Sequence, residues 1–357
     1  MEYVKLKDVF SIKKGKKVEQ VEKSENTIRY IQIDDLRNND NIKYCEKNER
    51  YVYAQERDII IAWDGANAGT IGYGLNGAIG STLALLTKND DRFCTEYCGL
   101  FLKSKFKYLR DKCTGATIPH ISKSSLEELE IPLISKEEQL KIINIINLSK
   151  NLLDKKKDQI NLLDELVKSR FVEMFGNPII NNKGWSTELL GEICELKAGK
   201  NIKSNEIHNV NSKGLYPCYG GNGLRGYVEN YSHEGNINII GRQGALCGNV
   251  KYARGKFYAT EHAVVTKPKI NINDYWLHFA LKELDLNRLA TGAAQPGLTV
   301  GKLNEVEIPK VPIELQNQFA DFVAQVDKLK FEMEKSLKEL EDNFNSLMQK
   351  AFKGELF

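Results

Sequence analysis

The chain is written twice. Thr114-Gly115-Ala116, Leu126 and Ile131-Pro132 recur as Thr291-Gly292-Ala293, Leu303 and Ile308-Pro309, at a constant offset of 177 residues. Upstream, Leu6-Lys7-Asp8-Val9-Phe10 and Lys14-Gly15-Lys16 match Leu190-Gly191-Glu192-Ile193-Cys194 and Ala198-Gly199-Lys200, and Asp64-Gly65-Ala66 matches Gln243-Gly244-Ala245. Small insertions fall between these blocks, as expected where loops vary and a framework stays. A repeat of this length dictates architecture before local propensity does: two like domains related by pseudo-symmetry, an arrangement suited to a bipartite target.

Within each copy the pattern is mainly short strands. Residues 28–33 alternate in hydrophobicity, 58–62 read as a buried strand with a counterpart at 237–240, and 81–86 and 263–266 are further strands. Helical patterns cover 97–112 and 274–289. Each copy is followed by a long helix. The first starts at Ser135, an N-cap with Glu138 three residues on, and stops at Gly176-Asn177-Pro178. Ile146, Leu153, Ile160, Val167 and Met174 recur along it every seven residues. The second follows Pro312, and its seam of Val323, Val326, Met333, Leu337, Leu340, Phe344, Leu347 and Ala351 is interrupted at Lys330. It reads as one turn longer, with Glu314 to Phe352 set against Glu137 to Phe171. A small β-rich domain cannot bury either seam along its whole length, so the helices are expected to pair. The expected fold class is α+β: two β-rich domains joined by two long antiparallel coiled-coil helices, with an internal pseudo-two-fold repeat. The expected boundaries are 1–133, 134–178, 179–311 and 312–357.

Composition narrows the function classes. Lys and Arg number 51 against 48 Asp and Glu, a formal charge of +3, so only local clustering can mark a nucleic-acid surface. No apolar run reaches the roughly 18 residues of a membrane span. The start, Met1-Glu2-Tyr3-Val4-Lys5, lacks the apolar core of a secretory signal, and seven scattered cysteines suit reduced thiols, which together point to the cytoplasm. Gly72-Tyr73-Gly74-Leu75-Asn76-Gly77 and Gly221-Asn222-Gly223-Leu224-Arg225-Gly226 match a dinucleotide fingerprint literally, but neither opens a helix, so they read as turns. No P-loop, no metal-ligand spacing among the five histidines and no nucleophile with a credible base is legible.

The order domain, helix, domain, helix resembles the specificity subunit of Type I restriction-modification systems. Three features carry the resemblance: Thr114 to Ile121 with its second copy Thr291 to Leu298, the Ile-Pro pair before a helix opening on Glu138-Gln139 or Leu315-Gln316, and Arg170 to Pro178 closing the first helix. The resemblance implies two target-recognition domains, at 1–133 and 179–311, and conserved helical spacers at 134–178 and 312–357. It implies a non-catalytic chain that reads a split target on double-stranded DNA and docks two adenine-N6 methyltransferase subunits. Restriction subunits can join that core. S-adenosylmethionine, and ATP with Mg²⁺ where a restriction subunit is present, would then sit on partners, with no cofactor or metal on this chain. Half-site centres are expected about 10 bp apart, one helical turn. The competing class is a coiled-coil scaffold with two protein-binding domains.

Candidate DNA contacts are of two kinds. Lys13, Lys14, Lys16 and Lys17 near the start of the first copy, and Lys197, Lys200 and Lys203 in the second, can neutralise phosphates. Base readout needs directional side chains, and those in the glycine-rich loops qualify. In the first copy they are Trp63, Asp64, Asn67, Thr70, Ile118 and His120; in the second, Tyr219, Asn222, Arg225, Arg242, Gln243 and Gln295. His262 lies in a strand pattern and is expected to pack; the crowded Tyr216, Tyr219 and Tyr227 are expected to pack or to line the groove.

Overall fold

The computed structural model describes residues 2–115, 117–292 and 296–356. It forms two compact units: the chain up to Lys157 together with the chain from Lys335, and Asp158–Glu334. The first unit holds an antiparallel sheet in the order Phe10–Lys14, Leu83–Lys88, Ile59–Ala62, Ile71–Tyr73. Its second sheet runs Lys43–Glu46, Thr27–Ile31, Gly77–Ile79, Tyr53–Ala54, the middle two strands being parallel. The second unit repeats this order with Cys194–Ala198, Ala263–Pro268, Ile237–Gly241, Val250–Ala253 and with Gly223–Val228, Tyr216–Gly220, Lys256–Ala259, His233–Glu234. The parallel pair falls in the same place. Both fingerprint-like glycine segments lie in strand-turn-strand structure, as their flanking pattern required.

Why four apolar residues run together at Ile59–Ala62 is now clear. Ile59 and Ile61 face a core shared with Tyr97 and Phe101 of the helix Thr95–Ser104, whereas Ile60 and Ala62 face the second sheet through Ile31 and Ile79. A strand covered on both faces loses its polar alternation. In the second unit Ile240 and Val264 face the helices while Ile239 and Val265 face the second sheet. Here the place of Ile59 is taken by Asn238, which lies opposite Tyr252 as Ile59 lies opposite Tyr73. Asn238 is buried, and its amide is satisfied: Nδ2 donates to the Asp274 carbonyl at 2.9 Å and Oδ1 accepts from His278 Nδ1 at 3.0 Å. Burial pushes His278 down to about 4, with nearby Lys282, Lys251 and Arg254 adding to it.

The long helices are Lys136–Phe175, of 40 residues, and Ile313–Ala351, of 39. Ser135 and Glu138 form a reciprocal capping box, Glu138 N donating to Ser135 Oγ at 3.2 Å and Ser135 N to the Glu138 carboxylate at 2.9 Å. Gly176, at φ +79°, ends the first helix in the left-handed conformation that glycine adopts without strain. In the first unit the start of the first helix packs beside the end of the second, Ile142, Ile143 and Ile146 sharing a core with Met348, Ala351 and Phe352. In the second unit Val167, Phe171 and Phe175 share a core with Phe319, Val323 and Val326, so the helices run antiparallel. Met174 is only half-buried, and Phe175 takes the seam instead. Lys330, the interruption in the seam, is neutralised by Asp164 on the facing helix at 2.6 Å.

The expected extra turn in the second helix is not there. Phe352 matches Phe175, not Phe171: its ring packs at a tilt against Tyr97 with centroids 5.4 Å apart, and Phe175 meets Trp276, at 5.9 Å, in the equivalent helix Asp274–Glu283. Phe171 and Phe175 sit one turn apart and are both buried, so apolar spacing alone cannot choose between them.

Each long helix is fastened to its own unit by a buried glutamine. Gln139 donates from Nε2 to the carbonyls of Arg92 and Ile134, at 2.9 and 3.0 Å, and accepts the Cys94 amide at 2.7 Å. Gln316 donates to the Val311 carbonyl and accepts the Asn273 amide, each at 2.8 Å. The Ile-Pro segments lie in two-stranded ribbons, Glu2–Lys5 with Glu130–Leu133 and Thr187–Leu189 with Glu307–Pro309. Among the described residues no helix is long and apolar enough to cross a membrane.

Two outcomes follow. Gln316→Leu strands the Asn273 amide and the Val311 carbonyl, and is expected to cost about 2–4 kcal/mol in urea unfolding, each buried unpaired group costing ~1–3 kcal/mol; an unchanged midpoint would refute the fastening role. His278 is depressed below its unfolded value near 6.5, so its contribution is present above pH ~6.5 and is lost as pH falls towards about 4. Up to about 3 kcal/mol should disappear over that window, and His278→Gln should flatten the urea-midpoint profile between pH 7 and 4.5.

Candidate nucleic-acid interface

Two loops that are distant in sequence are one structure. The strand Ile59–Ala62 runs into Trp63-Asp64-Gly65, and this turn is bonded to the Thr114 to Ile121 segment. Gly65 N donates to the Pro119 carbonyl at 2.9 Å, Ile121 N to the Trp63 carbonyl at 2.9 Å, and Thr114 and His120 exchange both backbone bonds. The second unit repeats each bond: Gly244 N to Pro296 at 2.9 Å, Leu298 N to Arg242 at 2.8 Å, and Thr291 with Gly297 in both directions. Gly65 and Gly244 are left-handed at φ +92° and +87°, a turn other residues would strain.

The lysine turn joins this cluster. A Cβ on Gly15 would lie 2.2 Å from the Gly80 carbonyl oxygen, and one on Gly199 would lie 2.1 Å from that of Ala259. Only glycine lets the backbone pass so close. In the first unit Lys14 then reaches Asp64 at 2.7 Å, and His120 Nδ1 meets the other Asp64 oxygen at 2.6 Å. Partial burial would raise the Asp64 carboxyl, but Lys14 and His120 outweigh it and hold it below the usual carboxylate range. Lys13, Lys16 and Lys17 are exposed, and none forms an ion pair among the described residues. Asn67 accepts from Arg37 at 2.7 Å, Thr70 closes the local turn on the Asn67 carbonyl, and Ile118 is 54% exposed. Trp63 is half-buried against the core, so its side chain is part of the support.

In the second unit Asn222, Arg225 and Gln243 line one cleft of about 430 Å³ beneath Gly220–Gly221. Arg225 also donates to Ser204 Oγ at 3.1 Å. Arg242 is half-buried beside it. Lys197 is an exposed strand residue, Lys200 is exposed on the glycine turn, and Lys203 lines a separate cleft with Tyr258 and His208. Tyr219 packs edge-on against Phe257 at 5.9 Å, and Tyr216 against Tyr231 at 5.1 Å. His262, expected to pack, lines the cleft with its side chain 42% exposed. Its strand ends there, so the alternation of strand faces no longer governs the ring. Gln295 lies outside the described residues.

Two residues that sequence reasoning passed over reach the first cluster. Arg37 bonds Asn67, and Arg110 donates to the Ala66 carbonyl at 2.7 Å. Arg110 lies on the helix Phe106–Asp111, four residues before the Thr-Gly-Ala segment, a spacing that was available as a signal. Arg37 falls where the two copies match poorly, so the repeat gave no guide to it.

The sequence model of the family described as "Type I restriction modification DNA specificity domain" matches residues 1–162 and 182–342. The chain belongs to that family. The EcoprrI specificity subunit of Escherichia coli is 48% identical over 141 residues, 39% of this chain and 35% of that relative. The MjaVIII specificity subunit of Methanocaldococcus jannaschii is 24% identical over 99% of this chain and 92% of its own length. A Type I S subunit from M. genitalium has the same fold, with a TM-score of 0.58 at 22% identity over 98% of this chain and 96% of that one. A chain from a structure on assembly and conformational transition of the type I R-M system superposes with a TM-score of 0.66 at 18% identity, over 99% and 98%. The chain is thus a specificity subunit, a class that supplies DNA sequence recognition and not catalysis.

Proposed function

We propose that each unit reads one half of a split target in the major groove of double-stranded DNA. One observation carries this reading. The loop cluster is built twice on the same backbone bonds, yet its side chains differ at matching places: Asp64 against Gln243 and His120 against Gly297. A framework kept while the protruding groups change is what two readers of different sequences require, since donors and acceptors at the base edges carry the code. In the first unit Asp64, Asn67, Thr70, Ile118 and His120 meet the bases; in the second Asn222, Arg225, Arg242, Gln243 and Gln295 do. Lys14, Lys16, Lys17, Lys200 and Lys203 neutralise phosphates. Trp63 and Tyr219 support the loops from behind.

The chain acts in the cytoplasm with two methyltransferase subunits, which bind S-adenosylmethionine and methylate adenine N6. Restriction subunits using ATP and Mg²⁺ extend the same assembly. Exchanging residues 1–133 for those of another family member is expected to change one half-site and leave the other intact, read by sequencing methylated sites. A change in both halves would show that the two units do not read independently.

A further inference from the structure

The turn that follows the central strand is held, in both units, by the same position of the repeat. Residues 64–70 and 243–249 close on matching backbone bonds. Ala68 N donates to Gly65 and Cys247 N to Gly244, each at 3.0 Å; Gly69 N donates to Ala62 at 2.8 Å and Gly248 N to Gly241 at 2.7 Å. A side chain then takes the carbonyl after the left-handed glycine. Arg110 Nη1 donates to the Ala66 carbonyl at 2.7 Å, and Asn287 Nδ2 donates to the Ala245 carbonyl at 3.2 Å. Arg110 and Asn287 stand at the same 177-residue offset as Thr114 and Thr291. They share neither charge nor length, yet each sets an N–H donor on the equivalent oxygen. The segments that carry them also press on the turn. A Cβ on Gly69 would lie 3.4 Å from the Phe106 ring, and one on Gly248 would lie 2.4 Å from Asn287 N.

Each turn has a second side-chain bond. In the first unit Arg37 donates to Asn67 Oδ1 at 2.7 Å. Arg37 adjoins the one-turn helix Asp34–Leu36, which is tied down by the bond from Arg29 to Asp35 Oδ1 at 2.6 Å. In the second unit Leu246 takes the place of Asn67 and has no polar group to accept a bond. There Asn287 Nδ2 itself reaches the Cys247 carbonyl, at 2.7 Å. A reading side chain discriminates only where its backbone cannot shift to suit a wrong base, and holding it within about 0.5 Å needs supporting bonds. A turn already ordered also avoids the entropy that a mobile one loses on binding.

Resting on the DNA-reading role proposed above, we infer that Arg110 and Asn287 are positioning residues. Each clamps the turn of its own unit and acts on the target only through that turn. Arg37 is a second clamp, confined to the first unit.

The test uses the full chain assembled with its methyltransferase subunits. Methylation rates are compared on duplexes carrying the mapped target and on duplexes with one base changed in either half. Arg110→Ala is expected to lower discrimination at the first unit's half-site on the order of tenfold, about what one hydrogen bond contributes. Discrimination at the other half-site should hold, which also shows that the altered assembly is folded. Arg110→Lys, which keeps a donor, should retain most of the discrimination. Asn287→Asp keeps the shape but turns an acceptor towards two carbonyls, and should act on the second half-site alone. Hydrogen exchange of the assembly without DNA reads the clamp directly: residues 64–70 should exchange faster in Arg110→Ala, and 243–249 in Asn287→Asp. The inference is overturned by unchanged exchange in these turns, by Arg110→Lys as defective as Arg110→Ala, or by loss of discrimination in both halves. A loss of rate spread evenly over all sequences, the mark of a phosphate contact, would also overturn it. Each of these results leaves the split-target reading standing. Absence of any sequence preference in the unaltered assembly would overturn both.

Discussion

The attachment of each long helix to its sheet unit is the constraint on which the rest depends. Gln139 and Gln316 are almost wholly buried, and each bonds backbone groups of the strand exit and of the short helix's N-terminal end. An isolated helix of this polar composition gains little from propensity alone; its stability comes from packing an apolar face. The amide fixes where that face begins. From there the spacing carries Ile142, Ile143 and Ile146 into the first core, and Phe319 and Val323 into the second. A slipped helix would leave these groups in water and the backbone partners of the amide unpaired.

With the frame held in this way, the two units are free to differ at their loops. The backbone bonds that tie the Thr-Gly-Ala segment to the turn after the central strand need no particular side chain beyond glycine. Asp64 and Gln243 therefore occupy the same place with opposite consequences. Asp64 is drawn into a charge cluster with Lys14 and His120, while Gln243 stands at the rim of an open cleft. The framework also tolerates change in the core: Ile59 gives way to Asn238, and Gly99 gives way to His278, which supplies the bond that Asn238 needs.

Much of this was legible in the repeat, because its best-preserved residues are those with fixed partners. The Ile-Pro ribbons, the glutamines and the left-handed glycines each answer to one geometric demand. The loop motifs looked weak singly, since a sequence does not display that Asp64-Gly65 and Thr114 to His120 bond to one another. Phe171 and Phe175 show the limit of spacing: both are buried, and only the ring opposite identifies the match to Phe352. His262 shows another limit, for a strand pattern says which residues alternate but not where the strand opens onto a cleft. Arg37 lay in a stretch where the copies diverge, so no internal comparison could point to it.

The central claim is that one frame carries two different readers. Single-molecule sequencing of methylated adenines, in cells with and without this chain, tests it most directly. The account predicts that one motif depends on the chain, made of two specified halves that differ in sequence and flank an unspecified gap. A contiguous motif, or a methylation pattern unchanged by removal of the chain, would contradict it.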